Sequence, residues 1–388
     1  MKLVYFLVAP VSIFASPNCE EITTCTGLSK IDKSLDWSIF TSLLSASSNA
    51  TILTDLAYIY GSHAGIAREC RMGLAAVFYS LSKIAIAKLE FQRSHNLNQL
   101  AMAMVWDVSR SHHDCLASVE VFGIRWLDEF MNEYLTLASH LRRHEDDGLP
   151  PPVPAVEQPT FRIGVATVCE YPESHKLFGI DKVSKGNRDQ YVGKHGYVSV
   201  FKTVNEDAPG RHPVWSALAL PLRLLETDAF DYVMWMDCDA LFIDQDRKIE
   251  EIIRMQPGKD LYISEDGRGL SGGNWIVRNS QWSKSLLRSV LANPDFDKFD
   301  LKDQFGLLWT LLRPGAEFID TPLINLGYPE DTALVPQRLI NAYPWSLCRP
   351  SHHCFEDGKD FIVSFITLSS LSSEMAFTLL NSFATRSG

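Results

Sequence analysis

Of the seven residues Phe230-Asp231-Tyr232-Val233-Met234-Trp235-Met236, only Asp231 is charged, and two aspartates follow at once, Asp237 and Asp239, around Cys238. A near-continuous apolar run of this length reads as a strand buried on both faces, the kind that parallel sheets with helices on either side contain. Carboxylates at i and i+2 of an extended chain project to the same side. At the carboxyl end of such a strand they stand in the crevice where open α/β sheets bind their ligands.

The texture around this run agrees. Phe161 to Val168 and Tyr197 to Val204 read as strands, as do Leu261–Ile263, Trp275–Val277, Phe318–Ile319 and Phe361–Phe365. Helical patterns over Trp215–Glu226, Ser280–Leu291 and Lys302–Leu312 alternate with them. Alternation of this kind predicts an α/β sandwich over residues 160–388. Residues 17–147 read instead as a helical region, with apolar stripes such as Trp37, Phe40 and Leu44, or Phe122, Trp126 and Phe130. Between the two, residues 148–159 hold Pro150-Pro151-Pro152-Val153-Pro154, a linker signature.

The first 16 residues combine Lys2 with an uncharged apolar run from Leu3 to Ala15, which predicts a signal peptide or an uncleaved signal anchor. Export into the secretory pathway, with the Golgi lumen or secretion as destination, agrees with the sequon Asn49-Ala50-Thr51. It would place the eight cysteines in an oxidising compartment. Cys19 with Cys25, Cys70 with Cys115 and Cys348 with Cys354 are candidate pairs, whereas Cys169 and Cys238, in predicted core strands, are expected to be free. The formal net charge of −11 argues against a nucleic-acid surface. It leaves a nucleotide ligand open, because a bound cation supplies local positive charge.

Three Asp-x-Asp triplets occur: Asp237-Cys238-Asp239, Asp244-Gln245-Asp246 and Asp295-Phe296-Asp297. Only the first follows a buried strand, so Asp237 and Asp239 are the candidate ligands of Mn²⁺ or Mg²⁺, hard cations that prefer oxygen. Downstream, Gly272 and Gly273 precede the strand Trp275–Val277, where missing side chains let backbone approach a sugar or phosphate. Asp303-Gln304 opens a helix and offers an acid and an amide for sugar hydroxyls.

Six ordered blocks between about Arg162 and Phe365 resemble one family. It comprises the yeast Golgi α-1,6-mannosyltransferases, the fission-yeast α-1,2-galactosyltransferases and the plant xyloglucan xylosyltransferases. The blocks are Tyr191 to Tyr197 (YVGKHGY), Arg211 to Trp215 (RHPVW), Asp231 to Phe242, Gly272 to Ser283, Asp303-Gln304, and Val335 to Tyr343 (VPQRLINAY). The resemblance implies a GT-A-like, Rossmann-like fold and a metal-dependent retaining transfer of a hexose or pentose. The donor would be a UDP- or GDP-sugar and the acceptor a glycan, and other glycosyltransferases are candidate complex partners. It further implies metal and diphosphate binding at Asp237 and Asp239, donor-sugar contact or catalysis at Asp303 and Gln304, and phosphate contacts at Lys194 and Arg278. The chain departs from the family pattern at Ser216, where Lys is usual, and at Ser364, where a His before Phe is expected to complete the metal shell. His352 and His353 are the nearby substitutes. A homologue that binds a nucleotide-sugar or glycan, or scaffolds partner enzymes, without catalysis is the alternative reading.

Overall fold

The computed structural model describes residues 75, 78, 79, 82, 91–111, 161–266, 269–299, 301–312, 328–348 and 352–386. They belong to two compact units, residues 1–140 with 294–328 and residues 141–293 with 329–388. The expected signal segment, the Asn49 sequon, the proline-rich linker and the Phe318–Ile319 strand lie outside the described residues.

In the first unit, the helix Phe91–Ser111 packs against the helix Lys302–Leu312. Its apolar contents include Phe78 edge-on to Trp309 and Phe305 stacked on Phe299 at 4.0 Å between ring centres. Gln99 donates to the Tyr328 hydroxyl at 3.0 Å.

The second unit holds the predicted sheet. In chain order its elements are β1 (Ile163–Val168), α1 (Ile180–His195), β2 (Val198–Lys202), α2 (Ser216–Glu226), β3 (Tyr232–Met236) and β4 (Ala240–Phe242). There follow α3 (Ile249–Met255), β5 (Leu261–Asp266), β6 (Gly269–Arg278), α4 (Gln281–Leu291), β7 (Thr332–Leu334), α5 (Gln337–Ile340), β8 (Ile362–Ser364) and α6 (Ser373–Ala384). Six strands form one sheet in the order β2-β1-β3-β6-β5-β7, and β4 pairs with β8 in a second, two-stranded sheet. β1 runs parallel to β2 and β3, β5 parallel to β7, and β6 antiparallel to both β3 and β5. This is a mixed α/β sheet, as the strand–helix alternation predicts.

Every residue of β3 is buried. Ile163, Val165, Tyr232, Met234 and Met236 share one apolar cluster with Tyr191 of α1, Ile252 of α3 and Leu339 of α5. α2 packs on β1, β3 and β6 and against α4. The glycine-rich stretch before Trp275 is part of the long strand β6 and not a loop.

The helix α1 carries no apolar stripe and is not legible from periodicity. Its buried residues are Ile180, Ser184, Asn187, Arg188, Tyr191 and Val192, and the three in the middle, Ser184, Asn187 and Arg188, are polar. Those three bond backbone groups, while Tyr191 and Val192 join the apolar cluster.

The cysteine expectation is overturned in one pair. Cys169 and Cys238 form a disulfide, with Cα atoms 5.1 Å apart. The reason is register: β1 and β3 are parallel neighbours with Ala166 opposite Trp235, and the same offset brings Cys169 opposite Cys238 just past the strand ends. Cys348 and Cys354 pair as expected, and no cysteine among the described residues is free.

The Cys169–Cys238 bridge closes a long loop, so its removal relaxes the unfolded chain considerably. Replacing both residues by serine should lower the unfolding free energy by roughly 2–4 kcal/mol, read from denaturant midpoints under non-reducing conditions. An unchanged midpoint would mean that the two thiols are not joined in the folded protein.

Candidate functional site

The chain turns sharply between β3 and β4, and Asp237, Cys238 and Asp239 form that turn. Its backbone is committed to the scaffold. The Met236 carbonyl accepts from Thr167 Oγ1 at 2.7 Å, and the Cys238 carbonyl accepts from the Ser184 hydroxyl. The Asp237 and Ala240 carbonyls both accept from the Arg188 guanidinium, the second at 3.2 Å. The Asp239 carbonyl accepts from Phe365 N at 2.8 Å. Asp237 N donates to Gly273 O at 2.9 Å and to Asn274 Oδ1 at 3.2 Å. All five carbonyls from Met236 to Ala240 thus have a donor, and three of them are served by side chains of α1.

The carboxylates are positioned in turn. Trp235 Nε1 donates to Asp237 Oδ1 at 2.9 Å. A Cβ on Gly273 would lie 3.3 Å from Asp237 Oδ2, tighter than ordinary packing, so glycine leaves this carboxylate its place. Burial pushes the Asp239 carboxyl up to about 6, with the Arg188 charge pulling the other way. Burial also lowers the Arg188 guanidinium to about 9 while Asp237 and Asp239 raise it, so it stays cationic at neutral pH. Half-buried Tyr171, in the loop after β1, has its phenol held above the usual range by burial and then by Asp239 and Asp237. Its ring stacks on His175 at 4.8 Å.

Behind Asp237 lies a buried polar chain. Asn274 Nδ2 donates to Ile340 O at 2.8 Å, to Ser364 Oγ at 2.7 Å and to Asn341 Oδ1 at 3.2 Å. Asn341 Nδ2 donates to Tyr343 Oη at 3.1 Å, and that hydroxyl donates to Asp266 Oδ2 at 2.6 Å. Ser364 therefore sits where the sequence puts it, opposite Ala240 in the β4–β8 pairing, and is engaged with Asn274. His353 is bonded to Asp360 at 2.8 Å, and His352 meets Tyr343 edge-on at 4.8 Å. Among the described residues no group of three or more His, Cys, Asp or Glu could hold a metal. A cation at Asp237 and Asp239 would draw its other ligands from solvent or a substrate. The pair still fits a hard cation, because two neighbouring carboxylates supply the oxygen donors that such a cation prefers.

Gly272 and Gly273 lie in β6, with Gly273 against Asp237. Arg278 stands at the other end of that strand, opposite Tyr232, and pairs with Asp260 at 3.5 Å. Lys194 pairs with Asp246 of the second triplet on the surface. Asp303 and Gln304 open the helix Lys302–Leu312 in the first unit, where burial pushes Asp303 up to about 7. Sequence reasoning missed Thr167, Ser184 and Arg188. The available signal was the inverted, polar face of α1.

The fold and this turn define an α/β protein with an acidic pair at the carboxyl end of a buried strand. Residues 165–259, from β1 to the residues before β5, match the galactosyl transferase GMA12/MNN10 family, the family that the ordered sequence blocks resemble. The "Probable alpha-1,2-galactosyltransferase gmh1" of Schizosaccharomyces pombe is 23% identical, over 40% of this chain and 55% of that protein. The "Probable alpha-1,6-mannosyltransferase MNN10" of Saccharomyces cerevisiae is 22% identical, over 50% of this chain and 56% of that protein. The chain thus spans about half the length of each. A solved glycosyltransferase involved in glycosylation of the major capsid of PBCV-1 aligns with 57% of this chain and 99% of its own at 12% identity and a TM-score of 0.41.

Two outcomes are expected. Asn274→Ala strands buried partners on both sides of the turn and should destabilise the protein by roughly 2–4 kcal/mol in chemical denaturation; a loss below about 1 kcal/mol would show that the network is dispensable. For Asp303, a folded pKa of about 7 against 3.8 means that the folded state holds its proton more tightly. The stability this group contributes is present in full below pH 3.8 and is lost as pH rises through about 7. Thermal melts between pH 5 and 8 should show a decline with pH that Asp303→Asn flattens; identical slopes would contradict the raised Asp303 carboxyl.

Proposed function

We propose that the chain is a metal-dependent glycosyltransferase that moves a hexose or pentose from a UDP- or GDP-sugar to a glycan acceptor, with retention at the anomeric carbon. The observation that carries this reading is the carboxylate pair Asp237 and Asp239 on a turn whose backbone is fixed on every side. A bound Mn²⁺ or Mg²⁺ would act as a Lewis acid on the diphosphate leaving group.

The chain's own residues have separable tasks. Asp237 and Asp239 would hold the cation, and the preceding β3 and the buried network keep the two residues in place. Gly273 keeps a side chain away from Asp237, which leaves that carboxylate its position. The Tyr171 phenol stays protonated beside the carboxylates and can donate a hydrogen bond to an anionic oxygen. Matches to galactosyl- and mannosyltransferases support sugar transfer as the class of reaction. Two disulfides among the described residues support work in an oxidising compartment, which we take to be the lumen of the secretory pathway. Among the described residues no helix is long and apolar enough to cross a membrane.

The second reading, a homologue that binds donor or glycan without transfer, is favoured by Ser364, whose hydroxyl is tied to Asn274.

Purified protein should hydrolyse at least one of UDP-galactose, UDP-xylose, UDP-glucose and GDP-mannose only when Mn²⁺ is present, and Asp237→Asn or Asp239→Asn should abolish this. Donor binding without hydrolysis or transfer would favour the second reading. Donor affinity equal in wild type and both variants would sink the site assignment.

A further inference from the structure

We propose that Arg188 is a positioning residue for the Asp237–Asp239 pair: an internal cation beneath the turn that sets the direction of both carboxylates for the metal and the nucleotide diphosphate. The inference rests on the transferase reading and adds to it a component from α1.

Arg188 is fully buried, one of the largest side chains of the protein with no exposure. Buried arginines are rare because removing a guanidinium from water is costly unless its donors and its charge are both answered. Here both are. Nε donates to Thr167 Oγ1 at 2.7 Å, Nη1 to Ser184 O at 3.0 Å and to Ala240 O at 3.2 Å, and Nη2 to the Asp237 carbonyl. Thr167 passes the contact on to Met236 O at 2.7 Å. The planar fork therefore spans the start and the end of the turn, from Met236 to Ala240, with the two aspartates between. Lysine has one nitrogen on a flexible stem and cannot bridge those points.

Helix α1 gives up the apolar character of three inward positions, Ser184, Asn187 and Arg188, to bring this group here. Ser184 and Asn187 from the same face bind Cys238 O and both backbone groups of Phe242, the latter at 2.8 Å each. For packing alone, a helix would place leucine or isoleucine at these sites, at no desolvation cost. The arrangement is explained if the turn must hold one geometry while a cation and a diphosphate bind and leave.

The test uses the full chain and three variants, Arg188→Lys, Arg188→Met and Thr167→Val. The last keeps the charge and removes only the Nε anchor and the link to Met236. Titration of each with UDP and with GDP in the presence of Mn²⁺ gives an affinity and a stoichiometry. A residue that only supports folding lowers the fraction of competent protein and leaves the affinity of the remainder unchanged. A positioning residue weakens the affinity at unchanged stoichiometry. We expect Arg188→Lys and Thr167→Val to keep the thermal transition and a stoichiometry near one, yet to bind the better nucleotide at least tenfold and about threefold more weakly. Amide exchange over Asp237–Ala240 in metal-free protein should quicken in both. If Arg188→Met does not fold, the other two variants carry the test. Unchanged affinity and exchange in folded Arg188→Lys and Thr167→Val would overturn the role of Arg188 while leaving the transferase reading intact. If wild type binds neither nucleotide with Mn²⁺, the transferase reading fails and the role of Arg188 fails with it.

Discussion

A charged turn at the end of a fully buried strand is an unstable proposition, and the hydrogen bonds to the five carbonyls from Met236 to Ala240 are what make it tenable here. Two carboxylates brought together out of bulk water repel each other and lose hydration. Leaving the turn's own polar backbone unsatisfied as well would compound that cost. Three elements answer it: α1 supplies Ser184 and Arg188, β1 supplies Thr167, and the segment after β8 supplies Phe365 N. The Cys169–Cys238 bridge adds a covalent tie from β1 to the middle residue of the turn. The turn is thus fixed from below by α1, from the side by β1 and from the other side by Gly273 and Asn274 of β6.

Seen this way, the ordered blocks separate by task. Arg211 lies 3.6 Å over the ring of fully buried Trp215 and donates to Leu291 O at 2.9 Å, so the block around Pro213 packs the start of α2. Tyr191 stacks on Phe242 at 3.7 Å, and His195 bonds Gln245 O at 2.9 Å, which docks the end of α1 against the chain after β4. Gln337, Asn341 and Tyr343 of the last block build the polar chain that ends on Asn274, directly behind Asp237. Much of what looks like a binding motif in the sequence is the framework that holds two carboxylates.

The run Phe230 to Met236 made β3 legible, because seven residues with one charge have few places to go but a sheet interior. The acidic pair was legible from its position after that run. The full length of β6 is hidden because Gly269 to Asn274 lack the apolar character of a strand; of their glycines, Gly273 is there because Asp237 stands within contact range. α1 is hidden for the opposite reason: the middle of its buried face, Ser184, Asn187 and Arg188, is polar and bonds backbone of the β3–β4 turn and of β4. The disulfide escaped because pairing depends on which strands are parallel neighbours and in what register, information that spans 69 residues of sequence. In each case the missing knowledge was tertiary.

The account stands on Asp237 and Asp239 meeting a metal together. The most direct measurement is anomalous scattering at the manganese edge from crystals of the protein grown with Mn²⁺ and UDP. The account predicts one strong peak bonded to an oxygen of each of the two aspartates and to the diphosphate, with Ser364 still hydrogen-bonded to Asn274. Ordered UDP without a peak at these carboxylates, or a peak bound by other residues, would contradict it.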